Sequence, residues 1–303
     1  MSLQVVIDGL IAGAMIGLGA IGVTLTYSIL RFANFAHGEF IAWGAYFALA
    51  VSGFLGAAAP GLAAPIGPFS FGWSLPIAAC AAIVLTAALA LLVDTLLFGR
   101  LRAKGGAVII LVMASFGAAL TLRNLLEFLF TSRPAYYVEG LQIALRFGRV
   151  RATPDALLCL ALAGALVVAI HLLIARTPIG RAMRAVSENP QLAGLVGVDS
   201  RKVVRLVWIL GAGLAAIAGI MAGLLVQIRP TMGLDLLLPL FAAAILGGIG
   251  SAPGALIGGL IVGLAESATV SLIGAEWRAA VAFVILVAIL LVRPRGLFGR
   301  SPP

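Results

Sequence analysis

Charge is scarce in this chain. Lys and Arg number 20 and Asp and Glu 11 over 303 residues, 10% in all, against 62% hydrophobic residues. Soluble globular domains carry about 25% charged and about 45–50% apolar residues. No soluble surface can be covered with so little charge, so lipid must solvate most of this chain. The two cysteines, Cys80 and Cys159, both lie in apolar runs and read as packing residues, not as a disulfide or a metal site. Histidine is equally sparse: His37 has only His171 for company, which does not make a metal cluster. A GxxxxGK[ST] phosphate loop is absent, so this chain alone is expected not to hydrolyse ATP. A nucleophile–base pair is also missing, which leaves a membrane enzyme the weakest reading.

No Lys or Arg precedes Arg31, and the apolar run from Leu3 to Leu30 is too long for the core of a signal peptide. It is expected to remain as a first membrane helix. The net charge of +9 does not point to nucleic acid, because the basic residues fall in short clusters between apolar runs.

Those runs are the main content of the sequence. Candidate spans lie near 5–30, 40–56, 75–98, 107–130, 155–175 and 204–227, with three more near 236–249, 254–272 and 278–292. The expected fold is all-α, a polytopic transmembrane helical bundle of about 8–9 spans, with residues 1–303 forming one membrane domain. The stretch Gly247–Gly254 breaks two of the runs, either as a tight turn or as the bend of a helix that enters and returns. Nine crossings bring Arg31, the Arg100–Lys104 cluster, the Arg176–Arg205 clusters and Arg293, Arg295 and Arg300 to one side. By the positive-inside rule that side is the cytoplasm, which puts the N-terminus outside and the C-terminus inside. Arg133, Arg146, Arg149 and Arg151, accompanied by Glu139 and Asp155, are then the misfit.

Small residues recur at four-residue spacing: Gly9, Gly13 and Gly17; Gly219 and Gly223; Gly254 and Gly258; Gly259 and Gly263. Any one pair is unremarkable in a membrane helix, but four sets imply close backbone packing in a compact bundle.

Two polar segments stand out. In the first, Thr177 can cap a helix starting at Pro178, and Asn189 a second starting at Pro190 and ending at Gly197. The second helix carries Leu192, Leu195 and Val196 on one face, which must lie on lipid, on its own bundle or on a partner. The other segment is Asn34-Phe35-Ala36-His37-Gly38-Glu39. Spacing alone favours a loop at the membrane surface, with Asn34, His37 and Glu39 capping helix ends. The other arrangement is a bend at depth, buried or lining a cavity, whose polar groups orient a gate or meet a polar substrate. Among ionisable residues within spans, Arg123 and Glu127 are expected to pair along one helix. Asp94 reaches water or the Arg100 cluster, Asp8 lies near the start of the first span, and Glu266 is a lone polar feature of a pathway or a packing hydrogen bond.

The Asn34–Glu39 run, with Gly17–Tyr27 before it, resembles the signature of the H-type permeases of high-affinity branched-chain amino acid ABC importers. Leu246–Ser251 with Pro253–Ala255 and the terminal Arg293–Gly299 are similar to that family too, and these motifs occur in the family's order along nearly the whole chain. The stretch Gly53–Trp73 has no close match. The Arg176–Asp199 segment resembles the cytoplasmic coupling loop of ABC importer permeases, with Glu188, Ala193 and Gly197 at its acidic, small-residue and glycine positions.

The resemblance implies a permease with short cytoplasmic coupling helices in a bacterial inner membrane, paired with a related M-type permease. Its further partners are two ATPase subunits, which bind the ATP, and a periplasmic substrate-binding protein. This chain itself holds no cofactor. Glu188, Asn189, Pro190, Leu192, Ala193 and Gly197 become ATPase-coupling candidates, and Ala193→Arg is expected to weaken ATPase association without disturbing the membrane fold. Asn34, His37, Gly38, Glu39 and Glu266 become gate or pathway candidates. The same resemblance extends to permeases for urea, short amides and aromatic acids. An ion-coupled secondary transporter using the intramembrane acids is the reading from a different class, and it has no need of a coupling loop.

Overall fold

The computed structural model describes residues 2–138, 140, 142, 144–147 and 150–299. Glu139, Arg149 and Arg300 lie outside the described residues. The apolar runs become helices almost where expected: α1 (Leu3–Leu30), α2 (His37–Ala58), α3 (Ser74–Ala103), α4 (Val108–Phe130) and α5 (Pro154–Arg176). Two short helices follow, α6 (Pro178–Glu188) and α7 (Pro190–Leu195). The last third holds α8 (Ser200–Leu225), α9 (Met232–Gly247), α10 (Ala252–Leu272) and α11 (Arg278–Val292). A hairpin of β1 (Leu145–Phe147) and β2 (Val150–Ala152) joins α4 to α5.

Among the described residues, eight helices are long and apolar enough to cross a membrane, the last counted with its leading turn from Ala275. Eight lies within the 8–9 spans expected, and the ninth apolar run is the shorter α9. Its 16 residues reach about 24 Å at 1.5 Å per residue, short of the ~30 Å hydrocarbon thickness.

The centre of the bundle is α1, wrapped by α2, α5, α8, α9 and α10. Close approach is bought with glycine. A side chain on Gly259 or Gly263 of α10 would collide with the backbone of Gly17 or Gly13 of α1, and one on Gly9 with Leu264. The other small-residue sets serve the same end: Gly219 meets the Ile41 backbone and Gly258 meets Ala243.

One end of the bundle gathers Arg31, Arg102, Arg176, Arg184 and Arg293. There Asp94, buried at the π-turn Asp94–Phe98 of α3, pairs with Arg102 at 2.6 Å, as its position near the Arg100 cluster suggested. The Gly247–Gly254 stretch is a tight turn: Gly248 and Gly250 have φ of 95° and 91°, and Ser251 caps α10 through the Gly254 N–H. The C-terminal motif docks on that turn, Leu297 N–H donating to Leu246 O (2.8 Å) and Phe298 N–H to Gly247 O (3.1 Å).

At the opposite end the hairpin is tied to α1, the Gln4 amide bonding the Arg151 backbone at 2.8 and 2.9 Å. Gln4 also donates to Asp8, at 2.8 Å. Asp155, the acid beside the misfit arginines, is buried and accepts from Ser70 and Gln142. Burial pushes the Tyr137 hydroxyl above its ordinary range, so it stays a donor, to Ala45 O at 2.8 Å. Cys159 is buried as expected of a packing residue, but Cys80 is exposed on α3.

Candidate functional site

The linker between α1 and α2 decides where the first polar segment sits. Arg31 ends α1 in the left-handed conformation (φ 56°), its N–H still bonded to Tyr27 O, and the chain turns back on itself. Phe35 N–H then donates to Ser115 Oγ of α4 (3.1 Å), and the Asn34 carboxamide oxygen accepts from Ala36 N–H (3.1 Å). By the start of α2 the chain is deep in the bundle, because the His37 ring lies against Gly22 of α1 and the backbone of Gly19. Those glycines precede the end of α1 by 8 to 11 residues, about 12–17 Å along its axis. Gly38 meets Gly233 backbone to backbone. The segment is therefore a bend at depth, and the surface loop favoured by spacing is overturned. Asn34, His37 and Glu39 are 3%, 1% and 2% exposed. A polar linker alone does not say how far the chain re-enters before its next helix starts.

The three polar side chains do not converge. His37 points toward Gly22 of α1, a glycine that the Gly211 carbonyl of α8 also approaches. Glu39 faces α4 and α9, with Arg123, Glu127 and Asp235 as the ionic groups within electrostatic reach. Among the described residues, Asn34 Nδ2, both His37 nitrogens and Glu39 Oε2 have no hydrogen-bond partner. Such buried orphans each cost about 1–3 kcal/mol, more when charged. The expected Arg123–Glu127 pair is absent: among the described residues neither takes part in an ion pair within 4.0 Å. Glu266 stands apart on α10, 5% exposed, with Arg278 at 3.9 Å from one oxygen and, among the described residues, nothing bonded to the other.

The second segment forms as its end signals require. Thr177 Oγ1 accepts from Gly180 N–H (3.2 Å), and Asn189 Oδ1 from Gln191 and Leu192 N–H (3.0 and 3.1 Å). Gly197, at φ 85°, closes α7 with Gly197 N–H to Gly194 O (3.1 Å) and Val198 N–H to Ala193 O (2.9 Å). Leu192, Leu195 and Val196 are 60%, 84% and 78% exposed, so the apolar face of α7 turns away from its own bundle. Ala193 is 3% exposed and faces inward. An arginine there would disturb the chain's own packing, so Ala193→Arg does not isolate a dock.

Sequence reasoning missed Arg31. Its guanidinium donates to Ser187 O (2.7 Å) and Glu188 O (3.3 Å), the last carbonyls of α6. Arg184 donates likewise to Ile174 O of α5. The α1–α2 bend and the α6–α7 junction are thus joined through one side chain. Between them a cavity of about 680 Å³ opens, lined by Tyr27, Arg31, His171, Arg184 and Ser251 among others.

The long apolar helices make this a multi-pass membrane protein, with a polar bend at depth and an outward-facing short apolar helix. Comparison with known proteins places it further. Residues 5–290 match the model of the family described as branched-chain amino acid transport system, permease component, and the chain belongs to that family. It is 32% identical to the high-affinity branched-chain amino acid transport system permease protein BraD of Pseudomonas aeruginosa, over 98% of this chain and 96% of that one. LivH of Escherichia coli K12, of the same description, is 31% identical over 98% and 96%. The probable branched-chain amino acid transport permease LivH of Methanocaldococcus jannaschii is 28% identical over 98% and 92%. Among solved structures, PsaBC from Streptococcus pneumoniae in complex with Fab shares the fold at a TM-score of 0.50 and 13% identity, over 95% of this chain and 91% of that one.

Proposed function

We propose that this permease is one of two membrane subunits of an ATP-driven importer for branched-chain amino acids. It pairs with a related M-type permease, two ATPase subunits that bind the ATP, and a periplasmic amino-acid-binding protein. The observation that carries the reading is α7, a capped helix whose leucines face away from the bundle in a chain of this family. Glu188, Asn189, Pro190, Leu192, Ala193 and Gly197 set the shape and position of that dock. The outward leucines are its contact surface. Asn34, His37, Gly38, Glu39 and Glu266 are the pathway candidates. The chain sits in the inner membrane with its N-terminus outside and its C-terminus cytoplasmic, since the end rich in arginine then faces the cytoplasm.

Reconstitution of the permease pair with its ATPase in proteoliposomes tests this. Leucine-loaded binding protein is expected to stimulate ATP hydrolysis and leucine uptake together. Uptake indifferent to ATP and driven by an ion gradient would overturn the reading in favour of a secondary transporter.

A further inference from the structure

The seam between α2 and α4 holds charges that the fold leaves uncompensated. The helices lie side by side, with Phe35 N–H on Ser115, Trp43 Nε1 on Leu122 O (3.1 Å) and the Tyr46 ring 4.8 Å from Phe130. Glu39 falls one turn from Phe35 and one from Trp43, in the middle of this contact. The ionic groups facing it are Arg123 and Glu127 from α4 and Asp235 from α9. Asp235 is already paired with Arg229, at 3.3 Å. That leaves two carboxylates, Glu39 and Glu127, and one guanidinium, Arg123. Among the described residues none of these three is in an ion pair within 4.0 Å or a side-chain hydrogen bond.

A carboxylate buried at membrane depth without a partner is costly. Here the deficit has a definite form: among the described residues Glu39 has no cation, and the half-buried Arg123 guanidinium no anion, within 4.0 Å. Apolar surface adjoins both. The Phe35 ring packs 6.3 Å from Phe116 and 5.5 Å from Phe241. The outer side of α4 is open, with Phe116, Leu120 and Phe128 exposed.

We propose that Glu39 and Arg123 form a recognition site for the zwitterion of an apolar α-amino acid on its way through the membrane. The ammonium, with three donors, sits on Glu39, and the carboxylate takes the planar guanidinium of Arg123 in a bidentate pair. The side chain lies along Phe35 and Phe116. Urea and short amides offer neither charge and aromatic acids only one, so the site selects amino acids within the wider substrate class. This rests on the importer reading above.

The test uses the whole assembly, with L-leucine as probe. Uptake by the wild-type complex tests the importer reading, and the variants test the site. Glu39→Gln and Arg123→Gln are each expected to lower leucine uptake at least tenfold, while leucine-loaded binding protein still stimulates ATP hydrolysis. More ATP is then spent per leucine moved, a change that a merely structural role does not produce. Glu39→Gln removes a buried charge, so its thermal midpoint should not fall. Arg123→Lys keeps the charge without the fork and should restore part of the uptake. The double variant should be no worse than either single one, since both act through one ligand. Uptake within twofold of wild type in Glu39→Gln overturns the proposal. So does loss of co-purification with the companion permease, which would make Glu39 one half of a subunit contact.

Discussion

Arg31 does two things with one backbone turn. Its left-handed φ of 56° stops α1, and its guanidinium covers the last two carbonyls of α6. Those carbonyls are orphans of a helix end, where partial negative charge accumulates, and a cation there is stabilising. Hydrogen bonds from a charged group contribute about 1.5–3 kcal/mol. Arg31→Gln should therefore leave α1 and α2 in place but loosen the α6–α7 junction. Hydrogen exchange would show faster exchange confined to residues around 184–192. Protection unchanged there would mean that the contact carries no stability. The same reach of 156 residues explains why the contact was invisible in sequence. A residue's neighbours along the chain say nothing of a partner so far away. The caps at Thr177 and Asn189 were legible because a cap is made within three residues of itself.

At the scale of elements, α7 shows what periodicity can and cannot decide. Six residues specify a helix once Asn189 and Gly197 fix its ends. With Val196, the residue that follows, they also specify that Leu192, Leu195 and Val196 share a side. They do not specify whether that side or Ala193 meets the bundle, since a two-turn helix has an apolar residue on each. The structure turns Ala193 inward and leaves the leucines out. Leu195→Glu, on the most exposed of them, is thus the discriminating variant. It should keep the thermal midpoint of the isolated permease while weakening ATPase co-purification at least tenfold, since burying a leucine contributes about 1.5–3 kcal/mol. Normal co-purification would move the dock elsewhere. The start of α2 was illegible for a different reason. Hydropathy measures how long an apolar run is, not the depth at which a polar link re-enters.

At the scale of the molecule, the chain's first helix is held mostly by its last third. Glycines 13 and 17 of α1 lie against glycines 263 and 259 of α10, with room for no side chain between them. The spacing of these residues was readable, but which helix each set would meet was not, because every set suits any small-faced partner. Gly263→Val puts a branched side chain into the Gly13 backbone, an obstacle that no rotamer can avoid. Overpacking costs about 1–3 kcal/mol where side chains can yield, and here the cost should reach or exceed the upper figure. The expected outcome is a lowered thermal midpoint in detergent and reduced membrane yield. Gly117→Val, on a glycine of α4 with open space around it, should leave both unchanged.

That seam also imposes an order on biogenesis. The 250 residues between Gly13 and Gly263 take roughly 12–50 s to synthesise at the usual ~5–20 residues per second. During that interval α1 is in the bilayer with its glycine stripe facing lipid, which fills such a groove poorly. Only when α10 closes onto the first helix does that exposure end, with α11 still to follow.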